Sequence, residues 1–184
     1  ALARLDARGL LLDPLKRVLP FGDRAALVDL VVAAGYGHLL PECVLVESEA
    51  DDAADAAARA GLRYPLLCKP RVACGTAASH ELAIAFSADG VRLLRSLRPP
   101  LLLQRYVPHG ARVLKVYSAG GVVYQLERPS LPDLGVATAS AGGGAAPPGL
   151  VSCSAQGAPP GADAFGAHAW CAHDTQCGAA AWEA

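Results

Sequence analysis

The 184-residue chain has no methionine, only three lysines, and no lysine or arginine after residue 134. It does not open on methionine either, so it reads as a fragment of a longer protein. No uninterrupted apolar run approaches the roughly 18–20 residues that cross a bilayer. Residues 1–12 carry Arg4 and Arg8, but no long apolar stretch and no clear cleavage site. They read as neither signal peptide nor anchor. No excess of either charge is present: 16 basic and 17 acidic residues leave −1. That excludes a general nucleic-acid or membrane-surface binder, whose affinity needs a large basic surplus. The six cysteines (43, 68, 74, 153, 171 and 177) do not form a disulfide framework. Cys43 and Cys68 sit in apolar, strand-like runs, where a free thiol is an ordinary small hydrophobe. A reducing compartment is expected, hence a cytoplasmic location. No internal repeat is evident.

What is present is enough for a core. Hydrophobic residues make up 53% and mean hydropathy is +0.30. The length fits one domain or two small lobes. Ala, Gly and Pro supply 29 of the last 50 residues, with Gly142–Gly144, Pro147–Pro148 and Pro159–Pro160 breaking any helix or strand period. A boundary is therefore expected near Leu134, followed by a mostly irregular tail.

Before that boundary the patterns are readable. Asp23 can cap a helix over residues 24–34, with Leu27, Leu30, Val31 and Ala34 on one face and Gly35 as its stop. Residues 43–46 read as a short buried strand. Ser48 can cap an alanine-rich helix running to about Ala60, stopped by Gly61. Residues 65–69, 82–86 and 101–106 read as strands, and 88–96 as a short helix. Residues 112–118 and 122–127 alternate in hydrophobicity around Ala119-Gly120-Gly121, a hairpin signal. The fold class is α+β, with a largely antiparallel section late in the folded region.

Four segments can carry chemistry. Lys69 ends an apolar strand, where a cation can meet a phosphate as a point charge. A surface lysine at a strand end is the plainer alternative. Residues 71–80 form a small-residue loop whose backbone N–H groups can approach an anion, with Arg71 and His80 as side-chain donors. A flexible turn is the alternative. Residues 104–110 leave a strand into a Pro/Gly link that can offer backbone groups to an adenine edge, or serve as a plain loop. Lys115 lies in an otherwise apolar and aromatic strand, so it faces either solvent or an anion. Arg128 adds a cation as the hairpin closes.

The run 68–86, Cys-Lys-Pro-Arg-Val-Ala-Cys-Gly-Thr followed by Ser-His-Glu-Leu-Ala-Ile-Ala-Phe, resembles the inositol 1,3,4-trisphosphate 5/6-kinase family, also called inositol-tetrakisphosphate 1-kinase. So do Pro99-Pro100 with Leu103-Gln104, Val107 and His109, then Leu114-Lys115-Val116-Tyr117, and Arg128-Pro129-Ser130-Leu131. Leu12-Asp13-Pro14-Leu15 and Asp23-Arg24 resemble the family's entry to its central region. The likeness covers about residues 10–134, as five motifs in the family's order and spacing.

The resemblance implies a partial ATP-grasp fold. Residues 1–61 would be the end of the N-terminal lobe with linker helices, 62–134 the central region and hairpin, and 135–184 a low-complexity tail. It implies ATP contacts from Arg24, Lys69, Gln104, Arg105, Tyr106, Val107 and Ser130. It implies that His80 and Lys115 hold inositol phosphate near the transferred phosphoryl group, and that Arg128 makes a further contact with that substrate. The implied ligands are ATP, Mg²⁺ and an inositol polyphosphate, acting on a monomer without membrane or nucleic-acid partners. Phosphoryl transfer needs positioning and charge neutralisation more than a covalent nucleophile. The family's Mg²⁺ ligands, an Asp and then an Asp-x-Asn, are not found after Leu134. Asp163 and Asp174 lack that context. The chain as given is therefore expected to be inactive. A nucleotide- or inositol-phosphate-binding module without catalysis, or another ATP-grasp ligase, are the alternatives. Cys153, His168, Cys171, His173 and Cys177 lack a standard zinc spacing and read as adventitious.

Overall fold

The computed structural model describes residues 2–94, 97–130, 133 and 149–154. These fall into two compact units, one of residues up to Val107 together with 149–154, the other of residues 108–133.

The first unit begins with two short helices, α1 (Leu2–Ala7) and α2 (Leu15–Val18), and then α3 (Arg24–Ala33). Asp23 caps α3 as expected, its carboxylate accepting from the N–H groups of Ala25 and Ala26 at 2.8 and 3.1 Å. Gly35 ends the helix with φ +86°, a conformation that side chains resist. The expected apolar face is only half present. Leu27 and Val31 are half-buried, whereas Leu30 and Ala34 are exposed. Apolar residues lie on nearly every side of α3, so their spacing does not single out one face.

Five strands follow: β1 (Cys43–Val46), β2 (Leu66–Pro70), β3 (Glu81–Ala85), β4 (Leu101–Arg105) and, after the hairpin in sequence, β7 (Leu150–Ser154). They form one sheet in the order β1-β4-β2-β3-β7, and all its pairs are antiparallel. Two helices, α4 (Ala53–Arg59) and α5 (Ala88–Arg92), join its strands. Val46, Leu66, Cys68, Ala83, Ala85, Leu101 and Leu103 pack with Ala54, Ala57 and Val91 in one buried cluster. The alanines let α4 approach the sheet closely.

One expectation is corrected. Ser48 does not cap α4. Its hydroxyl accepts from Ala50 N–H in a turn, and the helix starts after Asp52, whose carboxylate accepts from Ala54 and Asp55 N–H. A carboxylate closer to the alanine run outcompetes the serine. Within the tail, expected to be mostly irregular, residues 150–154 form β7, which adds a strand to the sheet edge beside β3.

The second unit is a two-stranded antiparallel hairpin, β5 (Arg112–Ala119) and β6 (Val122–Pro129). Gly120 and Gly121 turn it with φ of +57° and +80°, as a two-residue primed turn requires. Among the described residues no helix is long and apolar enough to cross a membrane. Cys43, Cys68 and Cys74 are free thiols.

β7 also imposes a close approach on α5. A Cβ built on Gly90 would lie 1.8 Å from the Gly149 carbonyl oxygen. Gly90→Ala is therefore expected to lower stability by about 1–3 kcal/mol through overpacking. This should happen even though alanine is the better helix former by about 1 kcal/mol. Urea unfolding checks this, and an unchanged midpoint would contradict the contact.

Candidate functional site

Side chains alternate across a strand, so burial of Leu66, Cys68, Leu101 and Leu103 on one face sends their neighbours to the other. The register pairs Cys43 and Leu67 with Gln104, and Leu45 and Lys69 with Leu102. Lys69 and Gln104 therefore share the second face. There the half-buried Lys69 Nζ donates to Gln104 Oε1 at 2.6 Å. Among the described residues no carboxylate pairs with Lys69. Burial first, and then the neighbouring Arg24 charge, push its ammonium below the ordinary 10.5.

Arg24 sits at the first turn of α3 and is also half-buried. Its guanidinium is engaged by backbone. Nη1 donates to the carbonyls of Pro70 and Val72, both at 2.6 Å, and Nη2 to Ser79 at 3.0 Å. Burial holds it below its ordinary value, though an arginine stays charged.

The 71–80 loop is an ordered turn. Ala73 N–H donates to Gly22 and Arg24 N–H to Arg71. Thr76 caps a short 3₁₀ turn (Ala77–His80) by accepting from Ser79 N–H. Ser79 is 1% exposed, and its hydroxyl donates to the Thr76 carbonyl. Arg71, expected as an anion donor, instead pairs with Asp23 at 2.8 Å and Glu47 at 3.1 Å. Burial alone would raise the Asp23 carboxyl, but hydrogen bonds from Ala26, Arg71 and Ala25 together outweigh it and hold it low. His80 closes the loop, half-buried, at the entry to β3.

At the far end of β4, Arg105 N–H donates to Glu42 and Tyr106 N–H to Pro65. The Arg105 side chain pairs with Glu42. Of the three residues 105–107, Val107 is the one whose N–H has no partner among the described residues.

The remaining expected residues belong to the hairpin unit. Lys115 faces Leu126 and Arg128 faces Val113 across the ladder, so the two cations are diagonal neighbours on one hairpin face. Tyr117 and Tyr124 form a cross-strand pair on that same face. Lys115 is exposed. Ser130 N–H donates to Ala111.

The structure thus gathers Arg24, Lys69 and Gln104 in one unit, with His80 at the end of the loop Arg24 holds. It gathers Lys115 and Arg128 in the other. Sequence reading missed two anchors. Asp23 was legible as a helix cap but not as the partner of Arg71, which lies 48 residues away. Asp133 takes the N–H groups of His109 and Gly110 at 2.9 and 2.7 Å, and the first of these bonds leads in holding its carboxyl low. Only its place in a Pro-Asp turn sequence hinted at this.

Among the described residues no group of three or more His, Cys, Asp or Glu side chains could hold a metal ion. Asp163, Asp174, His168, Cys171, His173 and Cys177 lie outside the described residues, and Cys153 lies in β7.

Residues 35–161 match the model of the inositol 1,3,4-trisphosphate 5/6-kinase ATP-grasp domain. The chain is 41% identical over 112 residues to inositol-tetrakisphosphate 1-kinase 4 of Oryza sativa subsp. indica, covering 61% of this chain and 31% of that protein. It is 36% identical over 128 residues to inositol-tetrakisphosphate 1-kinase 3 of Arabidopsis thaliana, covering 67% and 35%. It is 48% identical over 81 residues to inositol-tetrakisphosphate 1-kinase 1 of Zea mays, covering 44% and 23%. The chain therefore spans about a third or less of the length of these relatives.

Lys69 gives a test that needs no ligand. Its lowered value means that the folded state binds less proton than the unfolded chain between that value and 10.5. Relative to Lys69→Met, wild-type stability should rise with pH across that window, with the burial penalty present in full below it. Urea unfolding of both proteins over the alkaline range checks the sign, and a flat difference would contradict it.

Proposed function

Because the chain belongs to the inositol 1,3,4-trisphosphate 5/6-kinase ATP-grasp family, we propose that it is part of an ATP-dependent inositol-polyphosphate kinase. In the reaction a hydroxyl oxygen of an inositol tris- or tetrakisphosphate attacks the γ-phosphorus of ATP. The bond to the β–γ bridging oxygen breaks, ADP leaves with that bond's electron pair, and the hydroxyl proton is released to solvent. The observation that carries this reading is Lys69, a half-buried cation held by the neutral Gln104 and with no carboxylate partner among the described residues. Lys69, aimed by Gln104, neutralises nucleotide phosphates. The end of β4 offers Val107 N–H to the adenine edge beside Arg105 and Tyr106, and Ser130 contributes from the hairpin. His80, Lys115 and Arg128 hold the inositol phosphate.

Such a polyanionic pair calls for cations and N–H donors rather than a nucleophile. The family resemblance implies Mg²⁺, which would shield the β- and γ-phosphates. The described residues do not form a site for it, so no step of the transfer is assigned to a metal. The second reading, for the 184 residues alone, is a module that binds nucleotide without turnover. The free thiols of Cys43, Cys68 and Cys74 support a reducing, cytoplasmic location, and the near-neutral net charge supports the lack of nucleic-acid or membrane-surface partners.

Calorimetric titration with ATP, beside an ADP-release assay with Mg²⁺ and inositol phosphates, tests both readings. ATP should bind, and Lys69→Met should weaken it by roughly 10- to 150-fold, as for one charge-assisted hydrogen bond. In a longer chain that turns over, Lys115→Ala should raise the KM for inositol phosphate by a similar factor and leave ATP binding nearly unchanged. Failure of the 184 residues to bind ATP would end the nucleotide reading. Rapid ADP production by them would end the second reading.

A further inference from the structure

Arg24 matches a nucleotide-contacting arginine by resemblance, yet its bonds point elsewhere. Three of its five N–H donors already go to main-chain carbonyls, at Pro70, Val72 and Ser79. These carbonyls are not spread at random along the 70–80 loop. Pro70 follows Lys69 directly, and Ser79 precedes His80 directly. One planar guanidinium therefore ties together the two ends of a loop whose flanking residues are both expected to meet phosphates.

The surroundings make this a built arrangement. Asp23, the residue before Arg24, holds Arg71 at the loop's start and pairs with Val72 as an isolated bridge. Ala73 N–H reaches back to Gly22, and Arg24 N–H to Arg71. Residues 22–24 thus grip the loop from Pro70 to Ser79. The buried Ser79 and its hydroxyl bond to Thr76 fold the far end inward so that the Ser79 carbonyl can reach Nη2.

We propose that Arg24 is a positioning residue: it fixes the separation of Lys69 and His80 by clamping both ends of the loop, and it does so through its fork geometry rather than its charge. This rests on the nucleotide reading for its functional consequence, but the clamp itself does not. A lysine at position 24 would keep the charge and lose the fork, since one ammonium cannot replace two nitrogens aimed at three separated carbonyls.

The experiment uses the 184-residue chain and three measurements. In the wild type, NMR should show resolved, slowly exchanging Arg24 Nη–H signals. A freely rotating, rapidly exchanging guanidinium would overturn the clamp even if every variant fails to fold. In Arg24→Lys and Arg24→Gln alike, the amides of Ala73 and Ser79 should lose exchange protection by at least about tenfold, while Leu103 in the sheet centre keeps its own. Unchanged protection in both variants would overturn the clamp. In calorimetric titrations both variants should lose ATP affinity to the same extent and keep affinity for adenosine. A merely structural defect would weaken both ligands. Retained ATP affinity in Arg24→Lys with loss in Arg24→Gln would show action by charge and overturn the positioning role. If the wild type binds no ATP, the nucleotide reading fails, while the exchange measurements still decide the clamp.

Discussion

Leu66, Cys68, Leu101 and Leu103 lie buried in one cluster with the alanines of α4, and this contact sets the register of β2 and β4. A slip of one residue would carry every side chain to the opposite face. Lys69 and Gln104 would then enter the apolar layer, where an unpaired ammonium is strongly disfavoured. The second face is also partly apolar, with Leu102 and Ile84 buried on it, so Lys69 and Gln104 are polar groups set among apolar neighbours there. Cys68 shows how dry the inner layer is, since burial pushes its thiol up to about 12. Its sequence neighbour Lys69 keeps a polar partner on the other side.

Charge pairing separates two kinds of cation in this chain. Arg71, Arg92, Arg98, Arg105 and Arg112 each meet at least one carboxylate, and the pairs of Arg92, Arg98 and Arg112 are exposed, so each contributes little to stability. Lys69 and Arg24 differ on both counts, being half-buried and without a carboxylate. Folding brings these two cations close enough for the charge of Arg24 to disfavour that of Lys69. Neutral partners offset that cost: Gln104 holds Lys69, and the carbonyls of Pro70, Val72 and Ser79 hold Arg24.

Much of this was legible in the sequence because it is local. The strands near 43–46, 66–70, 81–85 and 101–105, the Asp23 cap and the Gly120-Gly121 hairpin all follow from runs, caps and turn residues a few positions apart. The start of α4 was misread because two capping residues, Ser48 and Asp52, stand within one turn-length of each other, and spacing alone does not rank them. What local pattern cannot show is partnership at a distance. Asp23 with Arg71, Arg24 with Ser79 and Glu42 with Arg105 are separated by 48, 55 and 63 residues, and β7 reaches β3 from beyond the hairpin. The resemblance identified Lys69 and Lys115 but assigned Arg24 only a ligand, because a motif records which residue is present and not which carbonyls it touches.

The hairpin poses the same question in a different setting. A two-stranded ribbon is marginal alone, and this one leaves Val116, Val123 and Tyr124 more than half exposed. The face with Lys115 and Arg128 carries Val113, Tyr117, Val122, Tyr124 and Leu126 but no acid, while the Arg112–Glu127 pair lies on the other face. The hairpin therefore keeps its acid, Glu127, on one face and Lys115 and Arg128 on the other.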